Sequence, residues 1–391
     1  MAKKAAEFDV VIYGASGFTG RLVAEYFVKQ GVKRWAMAGR SATKLAEVRD
    51  LIGAPADTPL IEADASTPAS LTAMCNRARV IITTVGPYQL YGNELVAACA
   101  ATGTDYVDLC GEPLWMRDMI DAHNDAAKAS GARITFSCGF DSIPFDLGVW
   151  FVEQEAIKRY AKPAPRVKGR VRKMQGGASG GTIASLTETM KAVAKSPSLI
   201  GRLKSSFALT PGFEGPDQPS GLFPEYDATS GTWTAPFIMA AINTKNVHRT
   251  NFLLNHAYGE DFAYDEMMMT TAGEAGKAIA EGIAKALKSA NPFGDGPIPK
   301  QGEGPNKDER ENGFYEILFI AEMGDGNMVK AVVAGDKDPG YGSTSKMIAE
   351  SALTLLENDT PGGVFTPGAI IAAPLIKRLQ ANAGLTFTIE D

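Results

Sequence analysis

The residues with the clearest chemical meaning are Gly14, Gly17 and Gly20, in the run Gly14-Ala15-Ser16-Gly17-Phe18-Thr19-Gly20 between a β-branched stretch and a helical one. Glycines at this spacing let the chain turn tightly and let its backbone approach a pyrophosphate, while the following helix offers unpaired N–H groups and the positive end of its dipole. Residues 14–20, with Ser16, Phe18 and Thr19 filling the loop, are therefore expected to hold a dinucleotide. The second strand discriminates between cofactors. An NAD site usually carries Asp or Glu there for the ribose 2′-hydroxyl, but residues 34–43 contain no acid and run into Gly39-Arg40-Ser41, with Lys44 one turn on. Arg40, Ser41 and Lys44 suit a 2′-phosphate through charge-assisted bonds, which favours NADP(H) over NAD(H); a solvated loop arginine is the alternative. Asp64, after the third strand, is placed either to approach an adenine ring or to cap a helix starting near Pro68. The fourth strand ends in Thr83-Thr84-Val85-Gly86-Pro87-Tyr88, where Val85, Gly86 and Pro87 would bring backbone close to the nicotinamide ribose. Tyr88 and Tyr91 either point into that site or serve as aromatics at a domain interface.

A bound nicotinamide implies hydride transfer, which also needs an aligned acceptor carbon and usually a proton donor. Asp141, Tyr88 and Glu112 are the candidate donors, with Ser142 and Thr182 as hydroxyl ligands. Asp141 lies where the first domain hands over to the second, the place where a ligand crevice forms; capping a helix that begins around Pro144 is its other reading. Gly176, Gly177, Gly180 and Gly181 imply backbone approaching either a ligand or another strand. Rival chemistries find less support. None of the 11 tyrosines has Lys four residues later, so the tyrosine–lysine mechanism of short-chain dehydrogenases is disfavoured. Cys138 as a thioester-forming nucleophile would want a His partner, and the 3 histidines include His123 on an apolar helix face. Those histidines lack HExxH spacing, and the 4 cysteines match no CxxC pattern, so no metal is expected.

The elements that must position these groups follow from apolar patterning. Strands are expected at 9–13, 35–38, 60–62, 80–83, 105–108 and 133–136, alternating with helices, which is the sign of a parallel sheet and the strand count of a dinucleotide-binding domain. A second, α+β domain with a mixed sheet is expected from a strand at 166–174, a helix at 181–195 and a hairpin of 314–322 with 328–334. The Gly/Pro/Phe-rich stretch 197–236 and the polar stretch 291–313 read as functional loops, the first covering an apolar substrate. Met267-Met268-Met269 and the helix through Lys288 invite a lipid-groove reading, with core or interface packing favoured. The predicted fold is α/β: a Rossmann domain over 1–139, an α+β substrate domain over 140–341, and a C-terminal segment, 342–391, whose helices pack back on the Rossmann domain.

Composition narrows the function class. In 391 residues, 39 Lys+Arg against 45 Asp+Glu leave a net charge of −6 with no basic run, which argues against nucleic acid as the partner. An apolar fraction of 45% supports a large core. The N-terminal residues carry no apolar stretch like that of a secretory signal, and nothing approaches the length of a membrane span, so a reducing cytoplasm is the expected setting. Peripheral contact with the inner face of the plasma membrane and assembly as a homodimer stay open.

Taken together, GASGFTG, the AGRS ending at Ser41, TTVGPYQLYG at 83–92, YVDLCGE at 106–112, CGFDSIPFDLG at 138–148, GGASGGTIAS at 176–185 and DPGYG at 338–342 resemble the saccharopine dehydrogenase-like oxidoreductases. The resemblance covers nearly the whole chain and is closest to the trans-acting enoyl reductases, through DPGYG and GGASGGT. It implies an NAD(P)-type Rossmann domain, a mixed-sheet substrate domain inserted before a C-terminal return, and hydride transfer. For that branch it implies reduction of a C=C bond in a hydrophobic, polyketide-like lipid assembled on a separate synthase. Saccharopine reductases instead reduce an imine, so an imine or ketone reductase is the alternative, and a catalytically silent NADP-binding sensor or interaction protein is another.

Overall fold

The computed structural model describes residues 5–176, 180–288 and 303–390. Gly177 and residues 291–302 of the polar stretch lie outside the described residues. In the first half, β1 (Phe8–Tyr13), α1 (Phe18–Lys29), β2 (Trp35–Gly39), α2 (Ala42–Leu51), β3 (Leu60–Glu62), α3 (Pro68–Arg77), β4 (Ala78–Thr83), α4 (Tyr88–Tyr91), α5 (Asn93–Thr102), β5 (Asp105–Val107), α6 (Pro113–Ser130) and β6 (Arg133–Thr135) follow one another. The second half runs α7 (Ile143–Tyr160), β7 (Arg166–Gln175), α8 (Gly180–Lys195), α9 (Leu199–Lys204), β8 (Glu225–Asp227), β9 (Thr232–Pro236), α10 (Ala240–Leu253), β10 (Ala263–Met269), α11 (Gly273–Leu287), α12 (Lys307–Asn312), β11 (Phe314–Glu322) and β12 (Met328–Gly335). A π-helical turn, Pro339–Ser343, leads to α13 (Thr344–Glu357), β13 (Gly363–Phe365), α14 (Pro367–Ile370), α15 (Ala372–Arg378) and β14 (Leu385–Glu390).

The first sheet is parallel, in the order β13-β6-β5-β4-β1-β2-β3. Its central strands are continuous apolar runs, such as Val10–Tyr13 and Val80–Ile82, because helices cover both faces. The order reverses at β1, so the carboxyl ends of β1 and β4 open the crevice where open α/β sheets bind ligands. The second sheet is mixed, in the order β14-β12-β11-β7-β10-β9-β8, with only β7 and β10 parallel. One apolar core runs from Val10, Ile12 and Phe27 at the first sheet to Phe319 and Val333 on the second and Leu375 of α15. Across the second sheet, Arg170 is 1% exposed and donates to Asp227 and Asp265, each at 2.9 Å, tying β7 to β8 and β10.

The α/β architecture with its mixed second sheet is the one expected. The structure differs at particular places. The first sheet has seven strands rather than six, because Gly363–Phe365 pairs with β6; three residues between glycines and a proline carry too short a pattern to read. The C-terminal segment serves both sheets: α13 packs on α1, β13 extends the first sheet, and β14 pairs with β12. Stretch 197–236 contains α9 and the β8–β9 hairpin, and Phe207 and Phe213 pack on His248, Phe252 and His256 rather than forming a free cover. Met267, Met268 and Met269 lie in β10, with Met267 fully buried against Thr234.

Candidate active site

The glycine loop is shaped around backbone contacts. Gly14 has φ +90°, a conformation that favours glycine, and a Cβ there would meet Thr84 Oγ1 and Val85 Cγ2 at 2.8 Å. The Gly17 N–H donates to the Gly14 carbonyl at 2.9 Å, closing the turn. A Cβ on Gly20 would lie 2.2 Å from the Gly14 oxygen, so only glycine lets α1 start this close to the β1 turn. Gly17 caps α1 without a side-chain acceptor, and no acid occupies the first turn, so the N–H groups around Phe18, Thr19 and Gly20 remain available to an anion. Ser16 and Gly17 are exposed beside them. Such a cradle fits the pyrophosphate of a dinucleotide.

Arg40 is exposed at the end of β2 and makes no hydrogen bond or ion pair among the described residues, though its charge reaches the Asp64 carboxyl. Ser41 caps α2, its hydroxyl accepting from the Lys44 N–H at 3.3 Å, which leaves the Lys44 ammonium exposed on the same turn. Glu62 accepts from the Ala42 N–H at 3.3 Å and places a carboxylate at the same helix start. Asp64 does not cap α3, whose N-cap is Thr67. It accepts instead from the Ser66 N–H and hydroxyl, both at 2.8 Å, and these donors hold its carboxyl below the usual range.

At the end of β4, the Thr84 hydroxyl donates to the Gly14 carbonyl at 3.4 Å, so Thr84 and Val85 line the glycine loop. The Gly86–Pro87 and Asp141–Ser142 peptides are cis. The next two candidates occupy positions the sequence did not reveal. The Tyr88 hydroxyl is buried, accepting from the Leu109 N–H at 3.0 Å and donating to the Thr83 carbonyl at 3.4 Å, and burial pushes its phenol well above 10. Glu112 accepts from the N–H groups of Tyr88 and Gln89 at 2.8 and 2.9 Å, satisfying the start of α4, and from the Ser185 hydroxyl of α8 at 2.6 Å. Both oxygens are thereby committed to fixing the loop that lines the crevice and to tying it to α8. Tyr91 is exposed.

Asp141 differs from both. It sits in the turn between β6 and α7, keeps a partial opening to solvent, and makes no hydrogen bond or ion pair among the described residues. Loss of solvation alone pushes its carboxyl up to about 7. Its helix-cap reading does not hold, since Ser142 is the N-cap of α7 and Asp141 precedes it. Ser142 accepts from Asn246 Nδ2 at 2.9 Å. Thr182 lies near the start of α8, whose Gly180 N–H donates to the Tyr341 hydroxyl at 3.2 Å. Tyr341 in turn packs edge-on against Phe18 at 4.8 Å, so the Asp338–Gly342 turn joins the glycine loop to the second half of the chain. Cys138 is fully buried and its thiol is pushed well above 9, which leaves no thiolate for covalent chemistry.

Sequence reasoning passed over α10. Asn243, Lys245, Asn246, His248, Arg249, Thr250 and Asn251 are all buried, an arrangement readable in principle as a helix polar on nearly every face. Asn243 donates to Glu266 of β10 at 2.9 Å. Among the described residues no group of three or more His, Cys, Asp or Glu side chains is placed to hold a metal. A depression of ≈ 300 Å3 lined by Asp9, Gln30, Lys33, Glu350 and Arg378 opens at the amino end of β1, away from the glycine loop.

Residues 10–134 match the family model of the saccharopine dehydrogenase NADP binding domain. A trans-acting enoyl reductase of Mycobacterium leprae is 38% identical over 99% of both chains. Another, of Mycobacterium tuberculosis, is 36% identical over 99% of both. A further Mycobacterium tuberculosis protein, named provisionally for the same activity, is 42% identical over 97% of both. Among solved structures, apo saccharopine dehydrogenase (L-Glu forming) from Saccharomyces cerevisiae aligns with a TM-score of 0.54 at 11% identity, covering 98% of this chain and 100% of that one, and so shares the fold.

Proposed function

Because the chain belongs to the trans-acting enoyl reductase branch of the saccharopine dehydrogenase-like oxidoreductases, we propose that it reduces a C=C bond conjugated to a carbonyl in a hydrophobic, lipid-like substrate, with Asp141 as the proton donor. The protein is an NADP(H)-dependent oxidoreductase. When bound, NADPH supplies a hydride to one alkene carbon. Residues 14–20 would hold its pyrophosphate, and Arg40 with Lys44 its 2′-phosphate. The conjugated second carbon then needs a proton. The observation carrying the assignment is the Asp141 carboxyl: unpartnered, partly open, and raised to about 7, where protonated and ionised forms are both populated at neutral pH. Tyr88 and Glu112 support it as positioning residues, since the Glu112 hydrogen bonds tie the segment after the Gly86–Pro87 turn to α8. No described helix is long and apolar enough to cross a membrane. A lipid substrate would reach such an enzyme from a carrier or by peripheral membrane contact.

The sign of the pH dependence follows from the donor role. Asp141 gives its proton only when protonated, so the rate of the reductive step falls as pH rises through its titration, at about 7 for this carboxyl acting without a second proton source. Asp141→Asn removes that proton and is expected to lower kcat/KM for a medium-chain 2-enoyl pantetheine thioester by ~10²–10⁴. NADPH affinity, titrated by nicotinamide fluorescence, should stay near wild type. Turnover is read as loss of nicotinamide absorbance and by mass of the saturated product. An unchanged rate in Asp141→Asn removes it as donor, and tight NADPH binding without turnover of enoyl, imine or ketone acceptors favours a silent NADP-binding protein.

A further inference from the structure

The donor role of Asp141 leaves a second buried carboxyl, Glu266 of β10, unused. Glu266 is 1% exposed, accepts from the Tyr264 hydroxyl and from Asn243 Nδ2, each at 2.9 Å, and forms no ion pair among the described residues. Space for it is built into the sheet. A Cβ on Gly169, opposite Glu266 on β7, would come within 2.8 Å of the Tyr264 hydroxyl and 3.1 Å of Glu266 Cγ.

Helix α10 sets the distance between the two acids. Asn243 and Asn246 stand three residues apart, neighbours on one helix face roughly 5–6 Å apart at Cβ. Asn243 holds Glu266, and Asn246 holds Ser142, the residue directly after Asp141. The helix therefore brings the Glu266 carboxyl and the Asp141 turn side by side. Both asparagines are fully buried, and the Oδ1 of each lacks a hydrogen-bond donor. Each oxygen keeps an acceptor site that an O–H donor can fill. Elsewhere on α10, Thr250 is satisfied by Asp146 and Asn251 by Tyr258 and Gly259, whereas His248 Nε2 and Arg249 Nε are also buried without a partner.

We propose that Glu266 is a proton-holding positioning residue that shares a proton with Asp141 and reloads it after each reduction. In each cycle Asp141 gives its proton to the substrate carbon and becomes a carboxylate. Glu266 then passes its own proton to Asp141 and regains one from solvent. The relay rests on the assignment of Asp141 as donor.

The surroundings leave little to compete with it. Asp265, next to Glu266 on β10, faces the other side of the sheet, where it accepts from Arg166 and Arg170. On β7 the residue opposite Glu266 is Gly169, and on β9 Pro236 and Ala235 pair with the next residues, Met267 and Met268, so none of these strand neighbours carries a charge. On α10, Lys245 donates to the Ala241 carbonyl, and neutral His248 packs on Phe207. Desolvation raises Glu266 to about 8 against the hydrogen bonds from Asn243 and Tyr264, with the Asp265 charge and then the Asp141 charge adding in the same direction. The pair therefore keeps one proton to a higher pH than Asp141 would alone.

The test is the pH profile of kcat/KM for a medium-chain 2-enoyl pantetheine thioester, in wild type, Glu266→Gln, Glu266→Asp and Asp141→Asn. In Glu266→Gln the alkaline fall should move about one pH unit towards acid, from about 8 towards about 7. The loss of rate should be smallest at low pH, where the partly open Asp141 regains its proton from solvent directly, and should grow as pH rises, with NADPH affinity unchanged. Glu266→Asp should restore much of the alkaline limb. A Glu266→Gln profile that superimposes on wild type, or one lowered equally at every pH and not rescued by Asp, overturns the relay. Asp141→Asn separates the two failures: if it retains full rate the donor assignment falls, whereas an inactive Asp141→Asn beside an unshifted Glu266→Gln removes only the relay.

Discussion

Replacing Arg40 by Ala isolates the interaction expected to distinguish the two nicotinamide cofactors. Arg40 is exposed and makes no hydrogen bond or ion pair among the described residues, so its loss should leave folding within ~0.5 kcal/mol. Its guanidinium stands at the end of β2, beside the exposed Lys44. A hydrogen bond to a charged partner contributes about 1.5–3 kcal/mol, and at 1.4 kcal/mol per factor of ten its removal should weaken NADPH by about 10- to 150-fold. Glu62, held at the Ala42 N–H of the same helix start, opposes the phosphate and pulls the expected loss towards the lower end of that range. NADH lacks the 2′-phosphate, so its affinity should change by less than ~2-fold. The assay is titration of wild type and variant with each cofactor, by nicotinamide fluorescence at fixed ionic strength, since charge contacts weaken with salt. An equal loss for both cofactors, or none for either, would refute the 2′-phosphate role.

Two further substitutions test the scaffold. Gly20→Ala places a Cβ 2.2 Å from the Gly14 carbonyl oxygen and 2.9 Å from Ala15 Cα, both backbone, so α1 must shift. Thermal melting should show a loss of ~1–3 kcal/mol, with NADPH affinity down at least ~10-fold, and wild-type values for both would mean the close approach is not required. Arg170→Met leaves Asp227 and Asp265 buried with Lys168 and Arg166 as their remaining cations among the described residues, so the low end of the ~3–5 kcal/mol cost of breaking a buried pair applies. An unchanged melting temperature would show that the pair contributes nothing net.

The cofactor half of this protein is legible in its chain because the interactions that define it are local. A strand buried on both faces is a continuous apolar run, and a pyrophosphate cradle is a glycine spacing, so Gly14, Gly17, Gly20 and six strands can be read without neighbours. The absence of an acid in residues 34–43 is equally local and points to the same cofactor as the family match over residues 10–134. The catalytic half depends on what surrounds each acid, and those groups are distant in sequence. Tyr88, Glu112 and Asp141 are alike as donor types in the chain, yet folding encloses the first, commits the second to Tyr88, Gln89 and Ser185, and leaves the third without a partner. Likewise the α10 polar run carries no sign that Asn243 and Asn246 would meet Glu266 and Ser142 from two other elements. Residue type and spacing thus determined the fold class and the cofactor, whereas desolvation and hydrogen-bond satisfaction, which exist only once the two sheets pack together, decided which carboxyl is free to carry a proton.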